Sequence, residues 1–217
     1  MKRTFLLIAF AVISISAYSQ VPYFGATVGD NKVYSYTALK FRPGINTQEF
    51  FTTFEYGIGN HFATGWELYS ADHQSYVGVH FRTGKKFSKW LSVGAETTPA
   101  FNINDNMKFS YLQSGLYLNG AITQDGRFFW TSNTWWTVYK DSEFTLNQWW
   151  YLAYTIPTIK EQSITPMLGA LHSWKMNQDV DLAAGIYYTI KNWNFYLWGN
   201  DFFKEHPRVV VAVDVTF

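Results

Sequence analysis

Past residue 32 the chain repeats one pattern to its end: apolar and polar side chains alternate, with short polar turns between the runs and no helical period. Successive side chains of a strand point to opposite faces, so every run has two faces that can meet two different surroundings. In the closing stretch "RVVVAVDVTF", Val209, Val211, Val213, Val215 and Phe217 share one side, and Arg208, Val210, Ala212, Asp214 and Thr216 the other. Near Trp193 the sides are Trp193, Phe195 and Leu197 against Asn194, Tyr196, Trp198 and Asn200. Near Val77 they are Val77, Val79 and Phe81 against Tyr76, Gly78, His80 and Arg82. One side is apolar; the other is polar, small, or aromatic with a polar tip.

The alternation predicts an all-β chain of about twelve strands, at 33–41, 49–58, 64–70, 75–83, 90–101, 108–122, 127–139, 145–156, 164–175, 181–190, 193–201 and 208–217. Turn chemistry marks several joints: "RPGIN", "TQDG", "KDSE", "MNQD" and the two-residue "KN" at Lys191 and Asn192. Pro99, Pro157 and Pro166 fall in or beside these strands, which keeps a ten-stranded version with longer turns open, because proline cannot complete an internal ladder.

Two architectures fit such faces. A soluble antiparallel sandwich turns its apolar sides into a core. A membrane barrel turns them into lipid, closes on itself, and keeps its polar sides for a lumen. Strand length separates the two, since sandwich strands run to about 5 or 6 residues and spanning strands to about 9 to 11. The predicted strands belong to the longer class. Aromatic placement points the same way: 20% of the chain is Phe, Trp or Tyr, and Trp90, Tyr139, Trp149, Trp150, Trp174 and Trp193 lie near predicted strand ends, where interfacial girdles form. The fold expected is a closed antiparallel up-and-down transmembrane β-barrel with both termini on one side.

Residues 1–19 are expected to be a signal peptide, cleaved after Ser19, with the barrel over 20–217. Lys2 and Arg3 precede an apolar run from Phe5 to Ile15 that ends in small residues, too short to cross a membrane as a helix. Without those two bases, 15 basic side chains of the chain's 17 face 16 acidic ones. That balance carries neither a nucleic-acid footprint nor a polybasic membrane anchor. The absence of cysteine excludes a disulfide-stapled exported scaffold and a lipid-anchored lipoprotein.

The last strand, with Val209, Val211, Val213 and Val215 alternating up to a terminal Phe217, resembles the closing strand of Gram-negative outer-membrane β-barrels. It lacks the glycine common there. The resemblance implies location in the cell outer membrane, contact with outer-membrane lipid, and recognition of Val213, Val215 and Phe217 by the barrel assembly machinery. In size and strand number the chain is similar to small twelve-stranded channels for oligosaccharides and nucleosides, although the basic lumen tracks expected for acidic sugars are missing.

Candidate functional residues are the polar inward positions. Charges concentrate on the second to fifth strands, where Glu55, Glu67, His80, Arg82 and Glu96 form a candidate lumen cluster, with Glu55 expected near Glu67. It reads as a polar constriction or as salt bridges filling a narrow barrel. The aromatic inward residues suit stacking against a small neutral solute such as a saccharide or nucleoside, or simple space filling. His172 and Ser173 invite comparison with lipid-modifying barrel enzymes, but neighbours in a strand face opposite ways and cannot act as nucleophile and base together. No motif calls for a cofactor, a metal or a catalytic role. The function expected is a small channel or solute-binding pore; a structural barrel with a blocked lumen and a lipid-modifying enzyme remain open.

Overall fold

The computed structural model describes residues 27–141, 143–174 and 180–217. The expected signal peptide, the "MNQD" turn and Lys175 lie outside them. The described residues form thirteen strands and no helix: β1 (Val33–Phe41), β2 (Gln48–Ile58), β3 (Phe62–Ala71), β4 (Gln74–Ser88), β5 (Leu91–Asn102), β6 (Lys108–Ala121), β7 (Phe128–Tyr139), β8 (Phe144–Tyr154), β9 (Ile156–Pro157), β10 (Gln162–Ser173), β11 (Asp181–Ile190), β12 (Trp193–Asn200) and β13 (Arg208–Thr216). β8 and β9 keep one register against β10 and are parted only by Thr155, so they make a single stave. Twelve staves result. Each pairs antiparallel with the next, and β13 pairs with β1, which closes the sheet into a barrel. The ten-stranded alternative is thereby excluded.

Closure is sealed at the chain end: Phe217 donates its N–H to the Val33 carbonyl at 2.8 Å and accepts from the Val33 N–H at 3.1 Å. Following the pairings once around the wall shifts the register by about fourteen residues, a shear that for twelve staves tilts the strands about 40° and gives a backbone radius of about 12 Å. A cylinder that wide is neither packed solid nor open by default; its inward side chains decide.

The two faces separate as alternation requires. Outward positions carry Phe54, Trp66, Val79, Phe81, Leu152, Leu168, Ile186, Phe195, Leu197 and Val211, all exposed. Among the described strand residues, Lys85 is the one Asp, Glu, Lys or Arg at an outward position. Several outward hydroxyls pair with each other across strands, Thr37 with Thr52 at 2.8 Å, Ser70 with Ser75 at 2.6 Å and Thr97 with Ser114 at 3.1 Å, which satisfies them in an apolar medium.

Two details differ from expectation, each for a local reason. β4 runs to Ser88, five residues beyond the predicted end, because its pairing with β5 continues after the pairing with β3 stops at Thr83. The prolines sit within the wall. The β4–β5 ladder skips the pairs at Pro99 and Thr98, and the β8–β10 pairing stops before Pro166, which stands opposite Tyr154 at the end of β8 and has no N–H. Each defect costs a local gap, not a stave.

Candidate functional site

On the β2–β6 side the lumen is an ionic wall. Glu55 and His80 stand on strands separated by β3, and the residue between them in register is Gly65. Without a side chain there, His80 Nε2 reaches Glu55 Oε2 at 3.4 Å. His80 Nδ1 lies 3.4 Å from Thr53 Oγ1. Arg82, one step along β4, is shared between two carboxylates, 3.9 Å from Glu55 and 3.6 Å from Glu96, and its guanidinium lies 4.7 Å above the Tyr117 ring. The Tyr117 hydroxyl donates to Glu96 and accepts from Trp135 Nε1 at 2.8 Å. Tyr117 bends over Gly115, whose missing Cβ would meet the tyrosine hydroxyl at 2.8 Å. Glycines at inward positions thus make the room that the large polar groups occupy.

Four of the five candidate residues, Glu55, His80, Arg82 and Glu96, join one network. Glu67 is inward and buried beside it, but its neighbour in register on β2 is Thr53, while Glu55 faces Gly65. The expected Glu55–Glu67 pairing gives way to Glu55 bridging two strands to His80 and Arg82. Asp214 belongs to a separate group, accepting from Asn194 Nδ2 at 2.8 Å and from the Tyr196 hydroxyl.

The remaining wall is aromatic. From the rim opposite the termini, ring contacts step inward: Tyr139 to Tyr111 at 5.9 Å, Tyr111 to Tyr76 at 5.6 Å and Tyr76 to Tyr69 at 6.2 Å. Lys40 Nζ, 5.8 Å from both the Tyr69 and Phe51 rings, links the next step. Phe51 to Tyr36 at 6.0 Å, Tyr36 to Tyr196 at 6.3 Å and Tyr196 to Tyr187 at 5.3 Å continue it. Tyr139 at the rim is exposed, Tyr76, Tyr69, Phe51 and Tyr36 are half-buried, and Tyr111, Tyr196 and Tyr187 are buried. A second file runs Tyr117, Trp135, Trp149 and Trp198, ending in a Trp149–Trp198 contact at 4.6 Å. Those two tryptophans stand three staves apart, a chord of about 17 Å at this radius, so together they fill a segment of the lumen. Phe51, Trp135 and Asn133 were not singled out in the sequence, although their inward parity would have found them.

A strap closes part of the far rim. In the β12–β13 connection, Asp201 accepts from Arg42 Nη2 at 2.7 Å and from Lys204 Nζ at 3.0 Å, and Arg42 Nη1 donates to the His206 carbonyl at 2.7 Å. Burial pushes the Asp201 carboxyl up, but hydrogen bonds from Asp181, Arg42 and Lys204 outweigh it and hold it well below the usual carboxylate range. Below the strap, Arg208 grips both oxygens of Glu49 at 2.6 Å.

His172 and Ser173 point opposite ways: His172 packs its ring on outward Trp174 at 4.6 Å, while Ser173 bonds inward to Asn147. Among the described residues, no group of three or more His, Asp or Glu side chains is placed to hold a metal.

No protein-family model matches the chain, and no curated protein matches it. Solved structures of similar form do match, two KdgM porin structures among them. The KdgM porin in complex with disordered oligogalacturonate superimposes with a TM-score of 0.59 at 15% identity, covering 85% of this chain and 99% of that one. A second KdgM porin structure gives 0.55 at 15% identity with the same coverage. By fold, the chain is a closed twelve-stave antiparallel β-barrel similar to those structures.

Proposed function

We propose that this chain is a narrow outer-membrane channel for small neutral solutes of the saccharide class. The aromatic staircase facing an ionic wall carries the proposal: ring faces suit the apolar faces of sugars, while Glu, Arg and amide groups across the lumen suit their hydroxyls. The oligogalacturonate of the KdgM complex is a polyanion. Here the inward strand positions carry Glu49, Glu55, Glu67, Glu96, Asp181 and Asp214 against Lys40, Arg82, Lys86, Lys108 and Arg208, a near balance that lacks the basic excess a polyanion needs and suits a neutral ligand.

Membrane placement is supported by the uncharged outward band and by aromatic residues at its edge. Tyr56, Trp130, Tyr154, Tyr188 and Trp193 all point outward within three residues of the strand ends on the terminal side. Such rings prefer a membrane interface. Recognition of Val213, Val215 and exposed Phe217 by the assembly machinery, and removal of residues 1–19 on export, belong to the same proposal.

One observation favours a structural barrel instead: the Trp149–Trp198 contact across the lumen. Planar-bilayer recording decides between them. The folded mature chain should conduct weakly, with current reduced by neutral oligosaccharide. Tyr69→Ala with Tyr76→Ala should weaken that block about tenfold while leaving the open current in place. A folded barrel that passes no ions refutes the channel; block unchanged in the double variant refutes the staircase.

A further inference from the structure

The hairpin joining β4 to β5 is where the wall outgrows its own rim. β4 is fifteen residues long, and beyond Thr83 it has no ladder partner on β3. The projecting turn is nonetheless well held. Its Lys89 carbonyl accepts from the Ala121 N–H at 2.9 Å, and Ser88 Oγ accepts from the Trp90 N–H at 3.1 Å.

Its composition is unlike that of any other turn. Lys85, Lys86 and Lys89 are interleaved with Phe87, 62% exposed, and Trp90, 43% exposed. Lys85 Nζ lies 5.4 Å from the Phe87 ring centre and Lys89 Nζ 4.4 Å from that of Trp90. No acidic residue occurs between Gln74 and Ala95, and none of the three lysines has an ion pair among the described residues. The same rim adds Lys32, Lys160 and Lys191. On the far rim, by contrast, Arg42 and Lys204 are tied to Asp201, and Lys108 to Asp105. Three lysines without an ion pair among the described residues are therefore gathered on this one hairpin, around two exposed rings.

We propose that this hairpin binds anionic phospholipid headgroups of the leaflet that meets the terminal rim, resting on the membrane placement given above. Phe87 and Trp90 enter the interface, and the lysine stems lie along them so that the ammonium groups reach lipid phosphates. Lys85 and Lys89, each beside an exposed ring, convert a general girdle into a site that distinguishes a charged headgroup from a zwitterionic one, and Lys86, at an inward position of β4, adds its charge to the same rim.

The test uses the folded mature chain in vesicles of equimolar phosphatidylcholine and phosphatidylglycerol, with co-purifying lipid counted by mass spectrometry. Phosphatidylglycerol should be enriched about fivefold, as one lysine's worth of surface attraction already predicts. K85Q/K86Q/K89Q should bring the ratio close to one, and K108Q/K140Q on the far rim should leave it enriched. Folding of each variant is read from the heat-dependent shift of its gel band. Enrichment equal in the triple variant and the parent, or lost equally in the far-rim variant, overturns the lipid contact while the barrel still inserts. Failure of the parent chain to float with any vesicle overturns the membrane placement and this proposal with it.

Discussion

Gly65→Ala tests whether the ionic wall depends on one missing side chain. A Cβ at that position would stand 1.8 Å from the Phe54 carbonyl oxygen and 2.9 Å from Glu55 Cα, both backbone atoms that no rotamer can move. Restoring an ordinary contact of about 3.2 Å requires β3 to retreat from β2 by about 1.4 Å, which stretches the flanking N–H···O bonds from about 2.9 Å to beyond any useful length. In water each lost bond costs about 1 kcal/mol; in a wall bordered by lipid an unsatisfied backbone group costs several. Two flanking bonds give an expected loss of about 3 to 5 kcal/mol. Urea unfolding of the vesicle-inserted barrel, followed by tryptophan fluorescence, measures it. The same variant should part Glu55 from His80 and alter single-channel current. A loss below about 1 kcal/mol would refute the reasoning, because it would mean that the β2–β3 seam can widen without cost.

Two further predictions concern the mouth and the lumen. The Asp201 carboxyl is depressed in the folded chain, so the stability it lends is complete above the unfolded value near 3.9 and is lost only as pH falls below that toward the folded one; amide exchange of Lys204, whose N–H donates to the Asp201 carbonyl at 2.9 Å, should stay protected down to about pH 4, and protection lost near pH 6 would contradict the strap. Trp149→Ala removes the ring that meets both Trp135 and Trp198 and should raise single-channel conductance several-fold, at a stability cost of about 3 kcal/mol or more if the site is packed like a core; unchanged conductance would place the narrowest point elsewhere.

Alternation alone fixed which residues face in and which face out, because the strand period of two admits no partial answer: a register error of one residue would exchange lipid and lumen along a whole stave. Hence strand positions, the inward parity of Glu55, Glu67, His80, Arg82 and Glu96, and the opposed faces of His172 and Ser173 were legible in the chain. The closing run ending at Phe217 was legible for the same reason, and Asp214 in its valine series is an inward residue held by Asn194 and Tyr196.

What only the tertiary structure decided is who meets whom inside. Shear and closure bring residues from strands two or three staves apart together, so Glu55 finds His80 over Gly65, Trp149 finds Trp198, and Phe51 and Trp135 become parts of aromatic files. One-dimensional pairing rules reach only the next strand, whereas the curvature of a closed wall turns all inward side chains toward one axis. The projection of β4 past the rim is equally a matter of the third dimension: its length was written in the sequence, but its lack of a partner on β3 depends on where that neighbour ends.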